Sequence, residues 1–176
     1  MYLTGREFWG VVHGMGLGAV FLLAYAGGLA GLYSLRSEWV TTAGVRERLR
    51  RLKIGAWAMA VVAWLTVITG TWIVYPWYRA RPPEGADLRL FPRSYLLADP
   101  QKALWHTFGM EWKEHAAWLA PILATVVVYL IHLYSEDLVK DARVRTVLMV
   151  LLTLAFVAAA VAGLFGALIT KVAPIL

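Results

Sequence analysis

Cysteine is absent from this chain of 176 residues. The absence excludes disulfide bonds, thiolate chemistry and iron–sulfur clusters, all of which need cysteine. Charge is also scarce, because Asp, Glu, Lys and Arg make up 16% of the residues, whereas a soluble domain carries about a quarter. Hydrophobic residues reach 60%, and the composition therefore predicts an integral membrane protein.

Four apolar stretches are each near the roughly 20 residues that a helix needs to cross a bilayer. They cover residues 8–35, 54–77, 116–134 and 147–169. We expect an all-α membrane protein, a four-transmembrane-helix bundle formed by residues 1–176 as one domain, because the connections are too short for a second domain. The first stretch has no small-residue cleavage site after it, so we expect a retained span and not a signal peptide.

The connection between the second and third spans is the longest, and we expect it to fold over the mouth of the bundle. Asp99-Pro100 is a helix-start signal, so the third span should belong to a longer helix that begins at about residue 100. Pro121 lies inside that helix and predicts a kink, because proline cannot donate to the carbonyl of Ala117.

The net charge of +6 is carried mainly by the connections. Residues 36–53 and 135–145 are short and basic, so the positive-inside rule places them in the cytoplasm and the termini and the long loop outside. We interpret the positive charge as a topology signal and as contact with anionic lipids of the bilayer, not as nucleic-acid binding. The predicted location is a bacterial-type inner membrane.

A cluster of possible ligands stands at the entrance of the third span, in the sequence W-H-T-F-G-M-E-W-K-E-H-A-A-W from Trp105 to Trp118. In a helix, His106, Met110 and Glu114 lie above one another at intervals of four residues, and Glu111 lies next to His115 in the same way. Ionisable groups at this depth are costly, which makes a functional site here a reasonable hypothesis. A solvated helix entry is the alternative.

His13 stands among glycines in the first span, and small neighbours leave space for a flat ring beside an imidazole. It precedes Tyr33 by 20 residues and His115 precedes Tyr134 by 19. Both histidines should therefore lie about 30 Å from the inner surface, at one level near the outer face. We interpret His132, between Tyr129 and Tyr134, as an interfacial or packing residue.

These features favour a b-type cytochrome that holds one haem b near the outer face and carries electrons between a quinol and an outer redox partner. His13 and His115 would be the axial ligands, and arginines of the long loop would pair with the propionates. The expected cofactor-binding residues are His13, His115, Gly10, Gly14, Gly16, Arg79 and Arg81. The sequence leaves open whether the protein is an enzyme.

Three alternatives remain open. A copper or similar metal site would use histidine and thioether ligands, with His13, His106, Met110, Glu111 and His115 as candidates. A cofactor-free accessory subunit of a respiratory or transport complex would use its glycine stripes as an interface. A proton-handling protein would use Glu111, Glu114 and His115 as a relay, although no acidic residue lies in the middle of the membrane.

The first helix, F-W-G-V-V-H-G-M-G-L-G, resembles the opening helix of small bacterial inner-membrane haem or copper proteins. The layout is similar to that of the copper-resistance D and protoporphyrinogen-oxidase-J type of membrane protein. This resemblance covers the first helix and the all-helical arrangement. It implies haem for the oxidase-like relatives, with His13 as the corresponding ligand.

Overall fold

The computed structural model describes residues 2–36 and 41–174. In this part of the chain there is no strand, and four helices are long and apolar enough to cross a membrane. They are the first helix (Gly5–Ser34), the second (Thr42–Tyr78), the third (Trp105–Leu133) and the fourth (Ala142–Val172). The prediction of an all-α, four-helix membrane bundle is confirmed.

The second and fourth helices begin earlier than the predicted spans because polar side chains cap them. The hydroxyl of Thr41 accepts a hydrogen bond from the Gly44 amide at 3.2 Å, and a carboxylate oxygen of Asp141 accepts from the Arg143 amide at 2.7 Å. Such caps satisfy amides that have no partner inside the helix. Much of the two basic connections is therefore helical, while residues 37–40 lie outside the described residues.

The third helix is bounded at Trp105, and residues 103 and 104 before it are already α-helical, so the start lies close to the predicted one near residue 100. The Asp99 carbonyl accepts from the Lys102 and Ala103 amides, both at 2.9 Å, so the expected start signal forms a turn just before the helix. The α-helical pattern is interrupted at residues 117 and 118. This interruption falls where Pro121 removes the hydrogen bond to the Ala117 carbonyl, as predicted.

The chain forms two compact units, and each helix contributes to both. The first unit contains the residues up to Gly18, Leu65–Trp118 and the residues from Ala160 onward. The second unit contains Ala19–Trp64 and Leu119–Ala159.

The second unit has a large apolar core with close helix contacts at glycines. A Cβ atom on Gly28 would lie 3.2 Å from a methyl carbon of Leu152, which explains why this position is small. The Tyr25 ring stacks on Phe156 with centroids 4.1 Å apart. The fully buried aliphatic side chains of this core include Leu32, Leu35, Met59, Val127, Ile131, Leu138, Leu148 and Leu152.

The first unit has a smaller core, which includes part of the long loop. A short loop helix, Pro92–Leu97, places the fully buried Leu96 in a cluster with Tyr78, Met110 and Ile169. A hydrogen bond from Lys102 holds the pKa of the Asp99 carboxyl below its usual range and helps to fix the turn that follows. The loop therefore packs on the apolar core of the first unit, as its leucines predicted.

Candidate functional site

Three π-helical segments lie in the first unit, where the polar side chains are concentrated. They are Val12–Gly16 in the first helix, Gly70–Val74 in the second and Trp105–Met110 in the third. A π-helical turn contains one extra residue and occurs often at functional sites. His13 and His106 each lie within such a segment, and Gly70, which contacts His13, begins the remaining one.

His106 is buried, with 6% of its surface exposed, and both of its ring nitrogens have partners. Arg93 Nε lies 3.2 Å from Nε2, and the Tyr78 hydroxyl lies 2.9 Å from Nδ1. Because an arginine Nε–H can only donate, Nε2 must accept. Nδ1 therefore carries the proton of the neutral ring and donates to the Tyr78 oxygen.

The His13 ring packs against the second helix. Its Nδ1 lies 3.0 Å from the Thr69 hydroxyl oxygen, and that hydroxyl donates to the Leu65 carbonyl at 2.8 Å. The oxygen of Thr69 must then accept from Nδ1–H, which leaves Nε2 with the lone pair of the ring. A Cβ atom on Gly70 would stand 2.8 Å from His13 Cε1, so only glycine admits the ring here.

Lys113 and Glu114, which are adjacent in the third helix, have half-buried side chains in the first unit. The Lys113 side chain crosses Gly166, where a Cβ atom would be 2.7 Å from Nζ, and it interacts electrostatically with His13. Oε1 of Glu114 is buried and has no hydrogen-bond partner among the described residues. Glu114 interacts electrostatically with Tyr75, Tyr78 and His106.

His115 has a different environment from His13. It is exposed, and its Nδ1 donates to the Glu111 carbonyl at 2.8 Å. It also lies two residues after Lys113, which corresponds to about 200° around the helix. The structure therefore gives His13 and His115 different neighbours, although each ring has its proton on Nδ1 and its lone pair on Nε2.

The remaining histidine, His132, belongs to the second unit and has a packing environment. Its Nδ1 donates to the Val128 carbonyl at 2.8 Å, and its ring lies edge-on to Trp57 with centroids 6.4 Å apart. His132 is also exposed, and these features agree with its interpretation as an interfacial or packing residue.

The four arginines of the long loop have separate roles. Arg93 points inward to His106, and Arg79 lies over the Tyr75 ring at 5.3 Å from its centroid. Arg89 pairs with Asp87 within the loop at 2.7 Å, while Arg81 is exposed. None of the four forms an ion pair with Glu111 or Glu114 among the described residues, and the inward contact of the loop is the one from Arg93 to His106.

The predicted glycines and metal ligands are distributed unevenly. Gly14 has no atom within 4 Å of an added Cβ, and Gly16 has only a carbonyl of its own helix at 3.9 Å, while Gly10 is half-buried. Met110 packs in the apolar cluster and Glu111 is exposed. In residues 2–36 and 41–174, no three His, Asp or Glu side chains form a group that could hold a metal ion, so the copper hypothesis gains no support.

The sequence did not identify three partners of the histidines. They are Thr69, Gly70 and Tyr78, and their pairing with the histidines depends on contacts between distant segments. His13 and Thr69 are 56 residues apart, and Tyr78 and His106 are 28 apart. Only the clustering of polar residues in an apolar span pointed to them.

No protein family model, curated protein or solved structure matches this chain. The resemblance of the first helix therefore stays a prediction.

The contact between Gly70 and His13 gives a direct test of the site. Gly70→Ala should destabilise the protein by about 1–3 kcal/mol, because the added methyl group forces the His13 ring away from Thr69. Gly14→Ala is the matched control, since nothing lies within 4 Å of its added carbon. Unfolding followed by circular dichroism in detergent micelles measures both, and equal stability of the two variants would contradict the packing described.

Proposed function

We propose that the protein is a b-type cytochrome-like electron-transfer protein of a bacterial-type inner membrane, in which His13 and His115 would hold one haem b. The observation that carries the proposal is the way His13 is held in the first unit, with its Nδ1 bonded to Thr69 and its ring edge against Gly70. In the rings of both His13 and His115, Nδ1–H donates to a protein oxygen and Nε2 carries the lone pair. This arrangement is the one that orients metal-bound histidines, because the second nitrogen fixes the tautomer and the direction of the ring.

The other histidines suit this role less well. His106 uses both ring nitrogens within the protein, so binding iron would break its bond to Tyr78 or Arg93. His132 lies in the second unit beside Trp57. His13 is also the position that the resemblance of the first helix implies.

The neighbours of His13 fit a flat cofactor on the side of the first helix. Gly14 is exposed and has nothing within 4 Å of an added Cβ, so the residue after His13 presents no side chain that would hinder a flat ring. Thr69 holds the ring by accepting from Nδ1–H, and Gly70 admits its edge. When bound, haem supplies one-electron chemistry whose potential depends on the axial ligands and on burial.

The proposal requires a movement of His115. Its ring is exposed in the structure, so coordination needs the segment Glu111–Ala116 to turn the ring toward His13. The turn at residues 117 and 118, next to Pro121, separates that segment from the rest of the third helix. Haem binding and rearrangement of this part of the third helix would thus occur together. Quinol would be the electron donor, and a redox partner at the outer face would be the acceptor.

A visible absorption spectrum of the purified protein tests the haem. We expect a Soret band and a sharp α band after reduction, both lost in His13→Ala and in His115→Ala and both retained in His132→Ala. The last variant is the matched control because it removes an imidazole with the same tautomer in the second unit. A protein that shows no Soret band, even after haem is added, would refute the proposal.

A cofactor-free accessory subunit is the second candidate, and the exposure of the first helix favours it. Only 17% of its most apolar window is buried, against 28–33% in the other three helices. Helix faces of this kind, rich in small residues, suit packing against further membrane helices. A featureless spectrum together with stoichiometric co-purification of membrane subunits would select this function over the first.

We also propose that the termini and the long loop face outward and that the two basic connections are cytoplasmic. The chain has no cysteine, so single introduced cysteines are clean probes. A membrane-impermeant maleimide added to intact cells should label Glu84→Cys, in the exposed turn of the long loop, and leave Arg46→Cys unlabelled until the cells are opened. The reverse labelling pattern would invert the orientation.

A further inference from the structure

A groove in the second unit lies between the first turns of the second helix and the segment that follows the third helix. One wall is formed by Thr42, Val45 and Leu49, and the other includes Glu136, Val139 and Lys140. Each wall thus combines apolar side chains with a polar group. Thr42, Glu136 and Lys140 are exposed, while the three apolar residues are half-buried.

Two arginines stabilise the segments that form the walls of this groove by donating to backbone carbonyls. Arg145 donates to the Leu138 and Val139 carbonyls at 2.9 and 3.0 Å, which holds the short helix Asp137–Lys140 in place. Arg48 donates to the Ser34 carbonyl at 3.1 Å and ties the second helix to the end of the first. Leu138, next to Val139 in the sequence, is fully buried in the apolar core of the second unit, so the short helix that lines the groove is anchored to that core.

The surroundings of the groove are strongly basic. Residues 36–53 and 135–145 contain nine Lys or Arg and five Asp or Glu. Several of the cations are used in the fold: Arg48 and Arg145 bind carbonyls, and Arg50 and Arg51 pair with Glu47. Four others form no ion pair among the described residues, and they are Arg46, Lys53, Lys140 and Arg143.

Lys140 is the cation that lines the groove itself. It follows Glu136 by four residues, a spacing that favours an ion pair on a helix. No such pair is present among the described residues, so within residues 2–36 and 41–174 the ammonium group of Lys140 has no carboxylate partner. A ligand that carries a negative charge next to an apolar portion would complement Lys140 and the valine and leucine side chains together.

We propose that this groove binds the head group of an anionic phospholipid, with Lys140 at the phosphate and with Val45, Leu49 and Val139 along the start of the acyl chains. The position fits, because both walls lie where apolar spans change to basic segments. Anionic head groups attract basic segments of this kind, at about 1 kcal/mol for each Lys or Arg near the surface. Glu136 opposes the binding and limits its strength. The proposal does not depend on a haem.

Native mass spectrometry of the full-length protein in detergent tests this site, with phosphatidylglycerol and phosphatidylcholine as the added lipids. We expect the protein to retain phosphatidylglycerol preferentially. Lys140→Gln should weaken that binding about fivefold, the factor equivalent to about 1 kcal/mol, and leave phosphatidylcholine binding unchanged. Glu136→Gln should strengthen phosphatidylglycerol binding, because it removes the opposing charge.

Lys171→Gln is the matched control, since it removes the same charge from an exposed site in the first unit. Circular dichroism checks that each variant is folded, which is expected because the replaced side chains are exposed. Equal retention of the two lipids by the native protein would overturn the proposal. An equal loss of phosphatidylglycerol binding in Lys140→Gln and Lys171→Gln would also overturn it, because the effect would then be one of net charge and not of the groove.

Discussion

The imidazole of His106 is buried in the first unit, where each of its ring nitrogens needs a partner from the protein. A buried polar group without a hydrogen bond costs about 1–3 kcal/mol. Arg93 and Tyr78 meet this requirement from opposite sides of the ring, at 3.2 and 2.9 Å. The three residues come from the loop helix, the second helix and the third helix, so one ring holds three segments in a fixed relation.

Other features of the first unit follow from this arrangement. Arg93 reaches His106 only if the loop helix packs against the core, and Leu96 of that helix is fully buried beside Tyr78 and Met110. The π-helical segment Trp105–Met110 places His106 inward and continues into the α-helix at Glu111. The extra residue of a π-turn changes which of the following side chains face the core. In the α-helical segment after this turn, Lys113 and Glu114 are the half-buried ionisable residues.

The helical architecture could be predicted from the sequence because long apolar runs have one stable solution in lipid. Every backbone amide and carbonyl must be paired within the segment, and a helix does this. The kink near Pro121 and the packing of the long loop were also predictable, since each depends on local chemistry. The helix starts were less accurate, because Thr41 and Asp141 cap segments that the charge pattern marked as connections.

The details of the site could not be predicted from spacing. An ideal α-helical periodicity places His106, Met110 and Glu114 on one face, but it does not show their partners: Tyr78 bonds His106 and also packs with Met110. His13 and His115 were predicted to lie at the same depth from their distances along each helix. Those distances do not determine the side of the helix on which each ring lies. Thr69 and Gly70 determine the direction of His13, and neither residue is near it in sequence.

The tautomer of His106 tests the account of the first unit most directly. Nitrogen-15 NMR of the histidine-labelled protein in bilayers, with the signal assigned by loss in His106→Gln, distinguishes the two neutral tautomers and the imidazolium. The hydrogen bonds from Arg93 and to Tyr78 predict a neutral ring with its proton on Nδ1. A ring protonated on Nε2 alone, or on both nitrogens, would contradict the donation from Arg93 on which the arrangement depends.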